Sequence, residues 1–385
     1  MNENNVLQIF ARYIEKFEWL NNDEHEEYYK WPIAEKFHDE MDRALSAPDS
    51  DFAARLLEVK KLSSNLIDSY TQPFYGLTEI AKKDQKTVRE MFLSLYEDDR
   101  DDIGKKQKKV SDFLIKSHEL REKYFQNSYL YKNDMHSVTG YLFLYDPDHN
   151  YFFKATNAQK FADCIGFYED WGVGDAIKLD VYYNMCDQLV DRIKNNKELM
   201  ATDASRFEPV WRKDNEKFYK DPEKHVLAFD LIYCCSAYDL FDGITFSRPN
   251  TGERRLLREK EEKAAILAEN LDKAKNDLKK LNEAMDYLNS VFIKGASIHH
   301  RKYGKGTVKE SYGDRVIVDF LEAGEKQLGI AVPAANKIIE SDYIGYKDRI
   351  EEYADILKRG KTAVESAVEQ AERDFAPYAE YNVKD

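Results

Sequence analysis

Apolar positions recur at helical spacing through the first third of the chain. Val6, Ile9, Phe10, Tyr13, Ile14 and Phe17 form one such stripe; Phe52, Leu56, Leu57, Leu62, Leu66 and Ile67 form a second. The spacing predicts a helical domain over residues 1–130. A Pro/Gly-punctuated loop at Thr71–Gly76 interrupts it, and Thr78 is placed to cap the next helix. Helices follow over 87–96 and 105–124, separated by an acidic turn at 98–102. Residues 135–248 predict a second, mixed but mostly helical domain. Its apolar run Gly140–Tyr145, before Asp146-Pro147 and Tyr151–Lys154, fits either a hairpin or a helix end followed by an extended segment. His225–Tyr233 is the most apolar stretch and fits a buried strand or a helix.

The pattern then becomes regular. Asn250 with Glu253 makes a capping-box-like start. Ala264, Leu267, Leu271, Ala274, Leu278, Leu281, Met285, Leu288 and Phe292 follow at alternating spacings of three and four. About four heptads of this kind predict a coiled-coil helix over 250–293, on the order of 60 Å long. Nine basic residues balance nine acidic ones along 253–292, so this helix is no basic arm for gripping DNA. Its flanking positions offer few charge pairs to enforce a parallel homodimer. A second helix over 345–376, with Ile350, Tyr353, Leu357, Val364, Val368 and Ala371 on one face, is the expected partner; a coiled-coil homodimer is the alternative to a monomer.

Between these helices, residues 294–337 switch to strand character. Ser297–Arg301, Gly306–Lys309, Arg315–Phe320 and Lys326–Val332 read as four or five short strands, with turns at Tyr312-Gly-Asp and Glu322–Glu325. Val316, Val318 and Phe320 alternate as one buried face. A sheet this small must close on itself or pack against a neighbour, and an SH3-like or Tudor-like barrel is the natural solution. The fold expected is therefore mainly α: a multi-helix N-terminal body, then a long coiled-coil helical hairpin carrying a small β-barrel.

Composition narrows the function classes. In 385 residues, 58 Lys+Arg stand against 72 Asp+Glu, a net charge of −14, which excludes a generally basic nucleic-acid coat. Residues 294–337 differ, with eight basic and five acidic side chains, or +3. Cys164, Cys186, Cys234 and Cys235 form no C-x-x-C pair and suit buried thiols in a reducing cytoplasm. No apolar run predicts a secretory leader or a membrane span, so the expected location is cytoplasmic.

One segment resembles a known module. Ile298-x-His300, Tyr303-Gly304-x-Gly306-x-Val308, Val316-x-Val318-x-Phe320, Gly324 and Lys326-x-Leu328 are similar to the C-terminal Tudor-like domain of UvrD-type DNA helicases. The resemblance covers about 45 of the 385 residues. It implies an accessory contact for nucleic acid or for a nucleic-acid-bound protein such as RNA polymerase, with no chemistry of its own. The helicase motor does not carry over, because no G-x-x-x-x-G-K-[ST] is present. The residues expected to meet the partner are His299, His300, Arg301, Lys302, Tyr303, Lys305 and Lys309, where cations can meet phosphates or an acidic protein surface and a ring can stack. His300 and Tyr303 serve equally well as packing residues of the sheet. A second protein partner is expected on the helical body or the coiled coil.

Catalytic signals are weaker. Cys234-Cys235 with His225 suggests a thiol nucleophile, but the cysteines end the most apolar run and read as core. Asp230, Asp239 and Asp242 are candidate metal ligands without the lysine-bearing element of restriction nucleases, and His118, His136 and His149 lack the spacing of a helical zinc site. Trp171-Gly-Val-Gly-Asp175 does not follow a clear strand and is not read as a phosphate loop. Tyr141–Lys154 resembles an element in helical specificity regions of modification-dependent restriction systems, departing from it at His149. The reading is a non-enzymatic bacterial adaptor or regulatory subunit with no cofactor and no metal, in a setting of phage defence or restriction. The alternatives are a nuclease or other hydrolase with its site in 135–248, and a structural scaffold.

Overall fold

The computed structural model describes the chain except residues 69, 99–101, 127, 209–216 and 383–385. Most of the expected acidic turn at 98–102 lies outside the described residues. The chain divides into two compact units, Met1–Arg255 and Leu256–Asp385.

The first unit is helical: α1 (Glu3–Leu20), α2 (Lys30–Leu45), α3 (Asp49–Ile67), α4 (Pro73–Ala81), α5 (Gln85–Leu95), α6 (Ile103–Phe125), α7 (Met135–Tyr145), α8 (Ala155–Cys164), α9 (Leu179–Asn195), α10 (Lys197–Ser205) and α11 (His225–Ala237). The stripes of α1 and α3 are buried as their spacing demands, Ile9, Phe10, Tyr13, Phe52 and Leu56 being almost wholly covered. Two expectations need correction. Thr78 caps nothing; it lies inside α4, whose first position is Pro73, and its hydroxyl donates to the Tyr75 carbonyl (2.7 Å). The stretches 1–130 and 135–248 also share one continuous core instead of forming two. The reason is that α7 and α11 are buried around nearly their whole circumference. To cover them, helices of the two stretches must pack together: α7 lies against α2, α3 and α6, and α11 against α1, α8 and α9.

Helicity settles the ambiguous apolar runs. Gly140–Tyr145 ends α7, a short 3-10 turn takes Pro147–His149, and the chain is extended to Lys154. His225–Tyr233 is helical, not a strand.

The second unit contains most of α12 (Thr251–Val291), then β1 (Ser297–His300), β2 (Gly304–Tyr312), β3 (Arg315–Phe320), β4 (Gly324–Gly329), the short α13 (Ala331–Ala335), β5 (Ile339–Ser341), α14 (Tyr346–Arg359) and α15 (Lys361–Phe375). The reciprocal cap is present: Asn250 Oδ1 accepts the Glu253 N–H (3.1 Å) and the Asn250 N–H donates to Glu253 Oε2 (2.8 Å). Within this unit α12 pairs with α14 and α15 in antiparallel order. Tyr287 meets Tyr353, Asp277 binds Arg359, Lys275 faces Glu372 at 3.9 Å, and Lys263 donates to Tyr378 (2.8 Å). Ala264, Leu271, Leu281 and Leu288 are buried in this seam. The C-terminal helix expected over 345–376 is two helices, because Gly360 (φ 76°, ψ 157°) takes a conformation reserved for glycine.

All pairings in the sheet are antiparallel, in the order β4-β3-β2-β1-β5, so β4 and β5 are its edges. The fifth strand lies beyond residue 337, where the sequence pattern ended, and part of the expected strand over 326–332 is α13. Val308, Val316, Val318 and Phe320 point to the inner face with Ile298 and Ile339. Gly306 is required there: it pairs with Phe320, and a Cβ would lie 2.6 Å from that ring and 2.7 Å from Val318.

Candidate partner-binding site

The turn from β1 to β2 collects most of the residues that sequence reasoning singled out. Strand alternation turns His299 outward and His300 inward. His300 Nδ1 accepts the backbone N–H groups of Lys302 (3.0 Å) and Tyr303 (3.2 Å), so this nitrogen is unprotonated and the ring ties the turn together. Burial, aided by the nearby His299 and Lys302, holds the His300 pKa below the ordinary histidine value. The ring stacks on Tyr303 (4.6 Å between centroids) and meets the edge of Phe320. His300 and half-buried Tyr303 therefore build the turn and are engaged in packing.

What remains outside is cationic. Arg301, Lys302 and Lys305 are exposed, and none makes an ion pair among the described residues; Lys302 leans over the Tyr303 ring at 5.4 Å. His299 pairs in register with Lys305 on one side and with Glu340 of β5 on the other. Lys309 is held apart from this group. It binds Glu325 of β4 and approaches Asp319 of β3 at 3.5 Å, and these carboxylates neutralise it on the sheet surface. The tertiary arrangement adds Leu321, a residue that sequence reasoning missed. Its N–H donates to the Lys305 carbonyl (3.4 Å), and its side chain is 88% exposed beside the basic turn. A leucine following Phe320 in the strand pattern carried no signal for this, because only the β2–β3 register brings it to Lys305.

The catalytic candidates in the helical unit fare differently. All four cysteines are buried and free, and burial pushes each thiol up, Cys164 to about 12. His225 faces the Asn150 carbonyl and the Tyr151 ring, not a cysteine. Asp239 and Asp242 are exposed, whereas Asp230 is fully buried. Glu27, Asp230 and Cys234 converge with the spacing of a metal site, but Lys30 donates to both carboxylates and fills the cation position.

This core cluster extends further. Asp230 also accepts from Tyr13, whose hydroxyl accepts from Arg206 Nη2 (2.7 Å). Arg206 binds Asp203 (3.2 Å) and Asn21 (2.7 Å), and Lys224 reaches Asp203 at 3.0 Å. Three cations and three carboxylates thus balance inside the core. Sequence reasoning could not find the set, because Lys30 and Asp230 lie 200 positions apart.

His118, His136 and His149 stay separate, each on its own partner. His149 Nδ1 lies 2.9 and 3.0 Å from the two Asp146 oxygens, in a polar cleft of about 610 Å³ that also exposes Glu35, His38, Asp39 and Glu97. Among the described residues no helix is long and apolar enough to cross a membrane. Comparison with known proteins places nothing beside this chain: no family model, no curated protein and no solved structure matches it.

Proposed function

We propose that the chain is a non-enzymatic adaptor or regulatory subunit whose sheet module, read as a Tudor-like or SH3-like domain, docks onto a nucleic-acid-bound protein machine such as RNA polymerase. The observation that carries this reading is a turn with three exposed cations, Arg301, Lys302 and Lys305, that make no ion pair among the described residues, together with exposed Leu321, whose N–H donates to the Lys305 carbonyl. An apolar side chain next to a basic turn suits a protein surface with an acidic rim around a pocket. Tyr303, the ring expected to stack on a base, is already engaged with His300 and Phe320. Three phosphate contacts by themselves support only weak DNA binding on a chain of −14 charge. Binding of the full chain to purified bacterial RNA polymerase and to duplex DNA, across a salt series, tests this. Arg301→Ala/Lys302→Ala/Lys305→Ala and Leu321→Ala should each weaken polymerase binding by about tenfold or more. A log–log salt slope of about −2.7 on naked DNA would assign the cations to phosphates instead. Binding to neither partner overturns the proposal.

A second reading rests on the cleft at His149. An imidazole steered by Asp146 at the edge of a carboxylate-lined cleft is the arrangement of a general base, which suits a hydrolase. Cleavage of DNA or RNA by the purified chain, lost in His149→Ala, would favour it over the adaptor.

A further inference from the structure

The helical unit holds a second cavity with a different character. Its volume is about 650 Å³, within the range of small-molecule sites. The floor is apolar and rigid: Met135, Phe153, Trp171 and Ile177 are each at least nine-tenths buried yet line the opening. Trp171 is set edge-on to Phe153 (6.2 Å, 83°) and stacked along Phe167 (6.2 Å, 19°), which fixes the indole as a wall. Val173, 82% exposed, adds an apolar lip.

The polar groups around this floor are unequal. Lys132 stands 4.0 Å from Asp175, so those charges compensate. Asp134 is occupied as the α7 cap, accepting the Ser137 N–H (3.0 Å). His136 is held neutral, since burial and then Lys154 depress its pKa, and its ring faces the Phe153 carbonyl. Half-buried Lys160 is left with no ion pair or hydrogen bond among the described residues. It opens onto the same space as Ala155 and Thr156, the first turn of α8, which no side chain caps. One ammonium without an ion pair among the described residues therefore shares this cavity with two buried aromatic rings.

We propose that this cavity binds a small anion with a planar apolar body, the body lying against Trp171 and Phe153 and the carboxylate or phosphate head meeting Lys160. The site is independent of the sheet module and of the partner proposed for it.

The test uses the full chain labelled with fluorotryptophan and followed by fluorine NMR, in which Trp171 is one of four tryptophans and is assigned by Trp171→Phe. The probes are adenosine monophosphate and naphthoate, each against its uncharged counterpart, adenosine or naphthamide. The Trp171 resonance is expected to move saturably with at least one anionic probe. The neutral counterpart should bind about tenfold more weakly, and Lys160→Ala should cost a similar factor. Which probe binds separates a phosphate head from a carboxylate head. If Lys160→Ala does not fold, Lys160→Gln retains much of the stem and takes its place. Arg301→Ala/Lys302→Ala/Lys305→Ala should leave the titration unchanged, so failure here and failure of polymerase binding are read separately. A Trp171 resonance that stays still at millimolar probe overturns the proposal. So does equal binding of charged and neutral probes, or unaltered affinity in a folded Lys160 variant.

Discussion

Replacing Asp230 by alanine tests whether the buried charges of the helical unit act as one network. Asp230 is fully buried and accepts from Lys30, from Tyr13 and, at 3.5 Å, from the Cys234 thiol. Without it Lys30 keeps Glu27, but the cluster carries one uncompensated positive charge and the Tyr13 hydroxyl loses its acceptor. Breaking a buried pair from one side costs about 3–5 kcal/mol, a large share of the roughly 5–15 kcal/mol that stabilises a typical domain. At about 2–4 °C per kcal/mol for a unit of this size, the midpoint should fall by about 6–20 °C. Urea unfolding followed through tryptophan emission, with Trp31 packed 3.6 Å beneath Arg206, reports on this unit. Asp230→Asn, which preserves shape and one acceptor, should cost less. Glu119→Ala, which breaks the exposed pair with Lys116, should cost no more than about 0.5 kcal/mol.

The pH dependence carries a sign. Lys30 is held above the ordinary lysine value, its carboxylate neighbours outweighing burial. Its contribution is complete below the unfolded lysine pKa and is lost only as pH rises past the folded one. The Asp230→Ala deficit attributable to Lys30 should therefore stay level between pH 6 and 9 (a window below about 10). A cost under about 1 kcal/mol, or one no larger than that of Glu119→Ala, would refute the reasoning, since a buried cluster left with one excess positive charge cannot be that cheap.

Other consequences follow from single positions. Asp221 is lifted to about 6 by burial, although it accepts the Val226 and Leu227 N–H groups at the start of α11. Its folded pKa exceeds its unfolded one, so it favours the fold below the unfolded pKa and loses that contribution as pH rises through about 6. Stability of Asp221→Asn relative to the parent chain, from denaturant melts between pH 4 and 8, should therefore be greatest at the alkaline end. Gly306→Ala should destabilise the sheet module by about 1–3 kcal/mol through overpacking against Phe320 and Val318, seen in the melt of the full chain. Gly360→Ala forces a side chain into a positive-φ conformation open almost only to glycine and should cost about 1–3 kcal/mol while loosening α15 from α12, read by hydrogen exchange. The four cysteines should resist a thiol reagent at pH 8 in the native chain and react together only in denaturant.

Much of this architecture was legible along the chain, because helices and strands impose short periods on their own residues. The three-and-four spacing of Ala264 through Phe292 located the long helix and its seam. The alternation of Val316, Val318 and Phe320 located the sheet, and Asn250 with Glu253 marked where α12 begins. Local sequence also placed Arg301, Lys302 and Lys305 together, since four residues of chain cannot separate them. What it could not determine was whatever depends on residues far apart in number. Nothing near His300 announced that its ring would hold the turn, nothing near Lys309 that Asp319 and Glu325 would neutralise it, and nothing near Leu321 that a backbone bond would set it beside Lys305. Apolar runs without periodicity, in α7 and α11, were equally mute. A segment buried on every side has no polar face to mark its period, so its helicity and its place at the centre of a single core were decided by the helices that close around it. The charged cluster joining Lys30 to Asp230 is the extreme case: each side chain alone reads as surface, and only the packed fold, which removes water from all of them together, makes them partners.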